Sequence, residues 1–363
     1  MYTPHFSKIH NRFLLNGYFY GRDELKQVAY DFIKEGDQYE YFLGDFLLDW
    51  LDQSDSICLK SSNNESENEK ILFDKQSLVN SAISTGNFFG VGVGDSALHC
   101  LPANYIAGKM MLIRAMILGL EIDLISPSKN PFYKNQKTYD FVAMTPMQAF
   151  HSLSELRKVR KLIVGGAYVS AALQKALINA KVNAFETYGM METLSHIAVR
   201  GMKDPISEFR CLPDIQVRQD ERKCLIIDAP KLNIENLITN DEVEVFNSKH
   251  FRLIGRIDYM IEIGSLKLNP EQIERKLSEY LSIHFFIDSY SDSTSDKKLA
   301  LVVKYDPKIK LEKIYEQLKN CISLEDYEIP KVIVCFENFI QTYSGKIKRK
   351  STMKQKPYRI LNL

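Results

Sequence analysis

Four short stretches, in a fixed order along 363 residues, hold the side chains with chemical potential. They are Gly165-Gly166-Ala167, Tyr188-Gly189-Met190-Met191-Glu192-Thr193, Gly255-Arg256-Ile257-Asp258 and Ser344-Gly345-Lys346. Small residues after a strand let a flat ligand lie against bare backbone. At the carboxyl end of a parallel strand, side chains face a ligand crevice, where Tyr188 can offer its ring to a nucleobase. Glu192 brings oxygen ligands of the kind magnesium prefers. Each stretch has a plainer explanation when taken alone. Gly165-Gly166-Ala167 serves equally as a tight strand-to-helix turn, and Tyr188 to Thr193 as a surface turn with an ordinary tyrosine.

Other candidates carry less. Gly90 to Gly94 reads G-V-G-V-G, which lacks the third glycine spacing of a dinucleotide loop. The histidines form no metal pair at helical spacing, and His196, four residues past Glu192, is better explained as a hydrogen-bonded structural residue. The six cysteines are scattered without a C-x-x-C pair, as free thiols in a reducing cytosol would be. No G-x-S-x-G elbow offers a hydrolase nucleophile. Lys346 to Arg359 holds seven basic residues and no acidic one, but lacks interleaved aromatics for stacking bases, so no nucleic-acid partner is expected.

The residues that matter must sit on elements. Apolar spacing predicts helices over Glu24 to Lys34, Tyr41 to Leu51 and Ser77 to Thr85. Lys60 to Lys70 reads as a loop. Then strands alternate with helices: Ala97 to Leu101, a helix Ile106 to Leu118 stopped by Gly119, strands Ile122 to Ile125 and Phe141 to Met144, a Thr145-Pro146 break, strand Lys161 to Val164, helix Ser170 to Asn179 and strand Ala184 to Tyr188. Such alternation argues for a largely parallel sheet covered on both faces. After Arg200 short strands, Cys224 to Ala229 and Glu242 to Phe246, suggest a β-rich subdomain. From Ile257 the order is strand, helix, strand, helix, strand. Asn269 caps the first of these helices with Pro270 at its first position, and Asp306-Pro307 opens the second.

Bulk composition fits this picture. Hydrophobic residues at 45% and charged residues at 26% are those of a soluble globular chain, and a net charge of +1 gives no general pull toward nucleic acid or anionic membrane. The most apolar run, Met110 to Leu120, is too short to span a bilayer and carries Arg114, and Met1 to Tyr20 has no signal-like apolar region. A cytoplasmic protein without membrane insertion is expected. Oligomeric state stays open, a homo-oligomer included.

Taken together the four stretches resemble the adenylate-forming superfamily, and within it the o-succinylbenzoate–CoA ligases of menaquinone biosynthesis in their short form. Further similar segments are Leu98 to Lys109, Ala229-Pro230-Lys231-Leu232, Thr239-Asn240-Asp241, Lys267 to Glu274 and Ser344 to Lys350. The resemblance implies an α/β fold with a large, mostly parallel-sheet N-terminal domain (residues 1–255, truncated relative to long relatives) and a small mobile α+β lid (residues 256–363) hinged near Asp258. It implies ATP, Mg²⁺ and coenzyme A as cofactors and a small-molecule carboxylate as substrate. Gly165, Gly166, Ala167, Tyr188, Gly189 and Met190 would form the adenine slot, Glu192 would hold Mg²⁺, and Asp241 with Arg256 would take the ribose. Lys346 would be the catalytic lysine, Gly264 and Lys267 would face the pantetheine channel, and Asn104, Tyr105 and Lys109 would face the acid.

The chain departs from that pattern where the triphosphate should sit. The family's Ser/Thr/Gly loop is here Ser61 to Lys70, with no glycine and with Glu65, Glu67 and Glu69. Ser61, Ser62 and Lys70 remain as phosphate contacts. A carboxylate about 6 Å from a phosphate charge costs roughly 0.7 kcal/mol in water and several times that in a drier cleft. In an extended loop the three alternating glutamates face one way. Met191 replaces a threonine that bonds the α-phosphate, and Ile263-Gly264-Ser265 replaces Ser-Gly-Gly. The expectation is a diverged working ligase. The alternative is a degenerate homologue that binds nucleotide or acyl-CoA without efficient catalysis.

Overall fold

The computed structural model describes residues 3–60, 70–203, 208–281, 283–291, 297–308, 310–319, 321–342 and 345–363. The chain opens with a short strand β1 (Leu14–Leu15) and helices α1 (Arg22–Lys34) and α2 (Gln38–Trp50). Glu24 and Glu40 reach back to accept from the N–H groups of Gly21 and Asp37 at 2.7 and 2.8 Å. These bonds satisfy donors at the helix starts. Strands β2 (Ser56–Lys60) and β3 (Lys70–Asp74) pair on either side of the glutamate-rich loop. Ser61 and Ser62 lie outside the described residues, and Lys70 is described only as part of β3. Asp74 then caps α3 (Lys75–Phe89), which stops at Gly90 in the left-handed region.

The alternating segment follows as β4 (Ser96–His99), α4 (Ile106–Leu118), β5 (Glu121–Leu124), β6 (Tyr139–Met144), α5 (Pro146–His151), β7 (Val159–Val164), α6 (Ala171–Asn179) and β8 (Ala184–Gly189). Helix α4 has the predicted bounds because Gly119 adopts φ +72° and ends it. Thr145-Pro146 is not a break but the start of α5. Thr145 Oγ1 accepts from the Gln148 N–H at 3.2 Å, Gln148 Oε1 accepts from the Thr145 N–H at 3.1 Å, and a proline in the first turn forfeits no helical bond.

Strands β1, β5, β4, β6, β7 and β8 lie side by side in that order and run parallel. The chain steps from β4 outward to β5, then returns to place β6 on the other flank of β4. Ligands of open α/β sheets bind outside the carboxyl ends of the strands at such a reversal.

The β-rich stretch after Arg200 extends this same sheet instead of forming one of its own. Strands β9 (His196–Gly201), β10 (Phe209–Cys211), β11 (Gln216–Gln219), β12 (Cys224–Ala229), β13 (Ile234–Asn247) and β14 (His250–Arg256) add antiparallel beyond β8, in the order β9-β10-β14-β13-β12-β11. Strand β13 is far longer than predicted. Its alternation continues through Thr239 and Asp241, two buried polar residues that hide the pattern from a search for apolar ones.

A separate small domain closes the chain. It holds the hairpin β15 (Ile261–Ile263) and β16 (Leu266–Leu268), then α7 (Pro270–Leu277), β17 (Phe285–Tyr290), β18 (Lys298–Lys304), α8 (Leu311–Lys319), β19 (Val332–Phe336), α9 (Arg349–Met353) and β20 (Arg359–Asn362). Strands β17 to β20 form one sheet in chain order. Asn269 caps α7 as predicted, accepting from the N–H of Glu271 at 3.0 Å. Helix α8 starts later than Asp306-Pro307, because the Asp306 carboxylate turns back onto the Lys308 N–H at 2.9 Å and closes a local turn instead. Among the described residues no helix is long and apolar enough to cross a membrane.

His99, at the end of β4, is fully buried, with Nε2 against the Gly108 carbonyl at 3.1 Å. Burial lowers its pKa from 6.5 to about 4, partly offset by that carbonyl. The unfolded chain therefore takes up a proton that the folded chain refuses. Stability should fall as pH drops from 6.5 toward 4, by up to about 3 kcal/mol from this residue. Urea titrations across that range should show a shallower acid loss in His99→Gln; an unchanged slope would remove His99 as its source.

Candidate functional site

The loops after β4, β6, β7 and β8 all lie at the carboxyl edge of the parallel strands. Gln148 stitches the first two together, its Nε2 donating to the Cys100 carbonyl at 2.9 Å. Gly165 follows β7 and donates its N–H to the Met144 carbonyl at 3.1 Å. A Cβ there would lie 2.0 Å from Thr187 Oγ1, so only glycine fits between β7 and β8 at this point. The accessible small surface begins at Gly166, which is exposed at φ +83°. Gly189 is exposed, but no side chain fits on it, since a Cβ would meet the Ser195 carbonyl at 2.4 Å. Buried Thr193 closes the intervening turn, its hydroxyl accepting from the Met190 N–H at 2.9 Å. Glu192 is exposed on that turn.

Tyr188 does not present a free ring. It is 8% exposed, with Phe209 and Phe251 edge-on at 5.9 and 5.2 Å. Its hydroxyl donates to Asp241 Oδ2 at 2.5 Å. Burial, and then the charge of Asp241, push the Tyr188 pKa well up and keep that proton in place. The other oxygen of Asp241, Oδ1, accepts from Arg256 Nη1 at 3.1 Å. Arg256 also grips Asp258 with Nε and Nη2 at 2.9 and 2.8 Å. The bond to Asp258 raises the Arg256 pKa, while the Asp258 carboxyl, opposed by its burial, is held below its usual value by the guanidinium. Both oxygens of Asp241 thus already have a protein partner.

Lys346 joins this group from the small domain. Its turn is closed by Thr342, whose N–H donates to the Lys346 carbonyl at 2.8 Å and whose hydroxyl accepts the Lys346 N–H at 3.1 Å. Gly345 sits at φ +88°, and a Cβ on it would lie 3.5 Å from Met147 of α5, across on the large domain. The half-buried ammonium feels the charges of Arg256, Asp241, Glu271 and Asp258. Its pKa is lowered, first by burial and then by Arg256. Three residues on, half-buried Arg349 is anchored to Glu274 at 2.7 and 2.8 Å.

The remaining predicted residues stand apart from this cluster. Lys109 lies over the Phe46 ring at 5.5 Å and acts on Asp49, so it faces α2. Asn104 is exposed, and Tyr105 begins α4. Gly264, at φ +58°, and Lys267, paired with Glu262 at 3.4 Å, sit on an exposed hairpin. Among the described residues no group of three metal-ligating side chains forms. Glu192 suits an ion such as Mg²⁺, which keeps waters and shares its shell with phosphate oxygens.

One residue escaped the sequence reading. Arg114, inside α4, is 2% exposed. It donates to Ser195 Oγ at 2.8 Å and approaches His196 Nδ1 at 3.4 Å. Among the described residues it has no carboxylate partner, and its Nε and His196 Nε2 have no acceptor. Burial lowers its pKa to about 9. The available signal was a single charge within a continuous apolar run. An uncompensated buried cation beside the Tyr188–Ser195 turn is costly unless an anion arrives to meet it.

No family model matches the chain. A solved acyl-CoA synthetase (AMP-forming)/AMP-acid ligase II-like protein from Dyadobacter fermentans is 30% identical, with 92% of this chain and 98% of that one covered at a TM-score of 0.60. The o-succinylbenzoate coenzyme A synthetase of Bacillus subtilis, solved with ATP and magnesium ion, shares the fold at 17% identity, covering 82% of this chain and 69% of that one with a TM-score of 0.70. The 2-succinylbenzoate–CoA ligase of Listeria monocytogenes is 22% identical over 298 residues, or 74% of this chain. The chain spans 63% of that relative's length.

The Tyr188–Asp241 bond makes a stability prediction. Tyr188→Phe leaves a buried carboxylate short of a donor and should cost about 2 kcal/mol. Urea unfolding measures it, and a loss under about 0.5 kcal/mol would show that the hydroxyl does not support Asp241.

Proposed function

The chain belongs to the adenylate-forming acyl-CoA synthetase family, and from that premise we propose that it joins an aromatic carboxylic acid, o-succinylbenzoate or a close dicarboxylate relative, first to AMP and then to coenzyme A. The observation that carries the reading is the turn holding Lys346, which packs by Gly345 against Met147 of the large domain and sets the half-buried ammonium within electrostatic reach of Asp241 and Arg256. In the first step an oxygen of the acid attacks the α-phosphorus of ATP, and the bond to pyrophosphate breaks. Lys346 supplies positive charge between the two anionic reactants, where negative charge crowds in the transition state. Asp241 and Arg256 hold the ribose, and Gly166, Ala167 and Met190 border the base with Gly165, Tyr188 and Gly189 behind them. Ser61, Ser62 and Lys70 would contact the β- and γ-phosphates. Glu192 would hold Mg²⁺, whose chemistry there would be to offset the negative charge of the phosphates. The lid, the part of the chain beyond Asp258, then turns about that residue, carrying Gly264 and Lys267 to the path of the pantetheine arm. The coenzyme A thiol attacks the acyl carbon and AMP leaves.

Arg114 bears on the acid. Only one carboxylate of o-succinylbenzoate is activated, and the other needs a cation. Arg114 is buried next to the turn that follows Tyr188 and lacks an anion among the described residues. Arg114→Leu should therefore raise KM for o-succinylbenzoate tenfold or more and leave KM for ATP unchanged. The same change should leave stability equal or higher, because an unpaired buried charge is gone. An unchanged KM for the acid would take Arg114 out of this role.

Glu65, Glu67 and Glu69 favour a second reading, a nucleotide- or acyl-CoA-binding protein with little catalysis. ATP–pyrophosphate exchange with and without o-succinylbenzoate decides. Exchange that depends on the acid supports the ligase, and Lys346→Ala should cut it at least a hundredfold. Folded protein that shows no exchange rejects the ligase.

A further inference from the structure

Glu271 occupies an unusual place at the joint between the two domains. It lies in the first turn of α7, on the lid side of Asp258, yet its Oε2 accepts from the backbone N–H of Arg256 at 2.7 Å, on the other side. The fit is close. A Cβ on Gly255 would lie 2.9 Å from that same oxygen and 2.6 Å from the Asn269 amide. Asn269 in turn donates from Nδ2 to Glu242 Oε2 of β13 at 3.2 Å. The second Glu271 oxygen stands 4.0 Å from Arg349, the residue that anchors the stretch following the lysine turn. Its charge also reaches Lys346.

We propose that Glu271 is a positioning residue that latches the small domain in the orientation placing Lys346 at Asp241. The inference rests on the two-step reading above. Because the bond from Glu271 to Arg256 spans Asp258, it cannot survive a rotation about that residue. The latch favours the first step and must open for the second. A ligand or side chain shifts such an equilibrium only by what it gains in one state and not in the other, and Glu271 makes this bond in one. Loss of a hydrogen bond with a charged acceptor is worth about a tenfold change in that balance.

The experiment uses the full chain with Glu271→Ala and Glu271→Gln. In the Ala variant, ATP–pyrophosphate exchange with o-succinylbenzoate should fall about tenfold. Thioester formation from preformed o-succinylbenzoyl-adenylate should hold or rise. The Gln variant, which keeps an acceptor for the Arg256 N–H, should recover most of the exchange. Equal losses in both steps, no loss in either, or a Gln variant as poor as Ala would overturn the latch. Hydrogen exchange without substrates gives a readout that needs no activity. Segments 145–151 and 340–342 should exchange faster in the Ala variant, because the Lys346 turn leaves Met147, while the melting temperature stays close. If the wild type proves inactive, the ligase reading fails and the hydrogen-exchange result alone judges the latch: faster exchange upholds it and unchanged exchange overturns it.

Discussion

A single buried carboxylate organises this molecule. Asp241 is 5% exposed and holds its place through Tyr188 on one oxygen and Arg256 on the other. A buried charge stripped of its partners costs several kcal/mol, so these three residues stand or fall together. They come from β8, β13 and β14. Strand β8 ends the parallel half of the large sheet, and β13 and β14 belong to the antiparallel half. The carboxylate therefore ties together two halves of a sheet whose hydrogen-bond ladders alone would not fix the side chains at its edge. Phe209 and Phe251 pack on Tyr188 and keep the group dry, which strengthens every charge interaction in it.

From this centre the constraint runs outward to the small domain. Arg256 is the last residue of β14 and shares its guanidinium between Asp241 and Asp258. Its backbone N–H goes to Glu271 of α7. The lysine turn completes the arrangement by bringing a second cation within electrostatic reach of the same carboxylates. Arg349 secures the chain just beyond, lying 5.0 Å over the Tyr259 ring and 5.6 Å over Phe286 while bonded to Glu274. A cation enclosed by aromatic faces and a carboxylate is well anchored. In the proposed reaction this orientation serves the first step, transfer to phosphorus, and the bonds that maintain it are few enough to exchange for others.

How much of this the sequence discloses depends on the residue. Helix Ile106–Leu118 and strand Cys224–Ala229 are legible to the residue, one through its glycine stop and the other through the apolar run Cys224 to Ile227. Strand β13 is not, because the buried carboxylate of Asp241 occupies a core position and breaks the apolar alternation. The α5 start is ambiguous in the sequence because Thr145-Pro146 signals both a break and a cap, and only the Gln148 partner distinguishes them. At the site, the identity of Tyr188, Asp241, Arg256 and Lys346 could be named in advance. Their mutual bonding could not, since it depends on tertiary approach of distant segments. Arg114 was noticed only as a reason against a membrane span, because burial without a counter-ion is a property of packing and not of composition. The glutamate-rich loop was conspicuous as sequence, and its residues 61–69 lie outside the described residues.

The account stands on Lys346 sharing a partly buried site with Arg256 and Asp241. The most direct measurement is the titration of its ammonium, by carbon-13 reductive methylation and NMR, assigned with Lys346→Arg. Burial and the neighbouring guanidinium should place its pKa below the ordinary 10.5. Arg256→Gln, by removing the second of these causes, should bring it back up. A Lys346 that titrates at the ordinary value in the folded chain, and ignores the loss of Arg256, would contradict the account at its root.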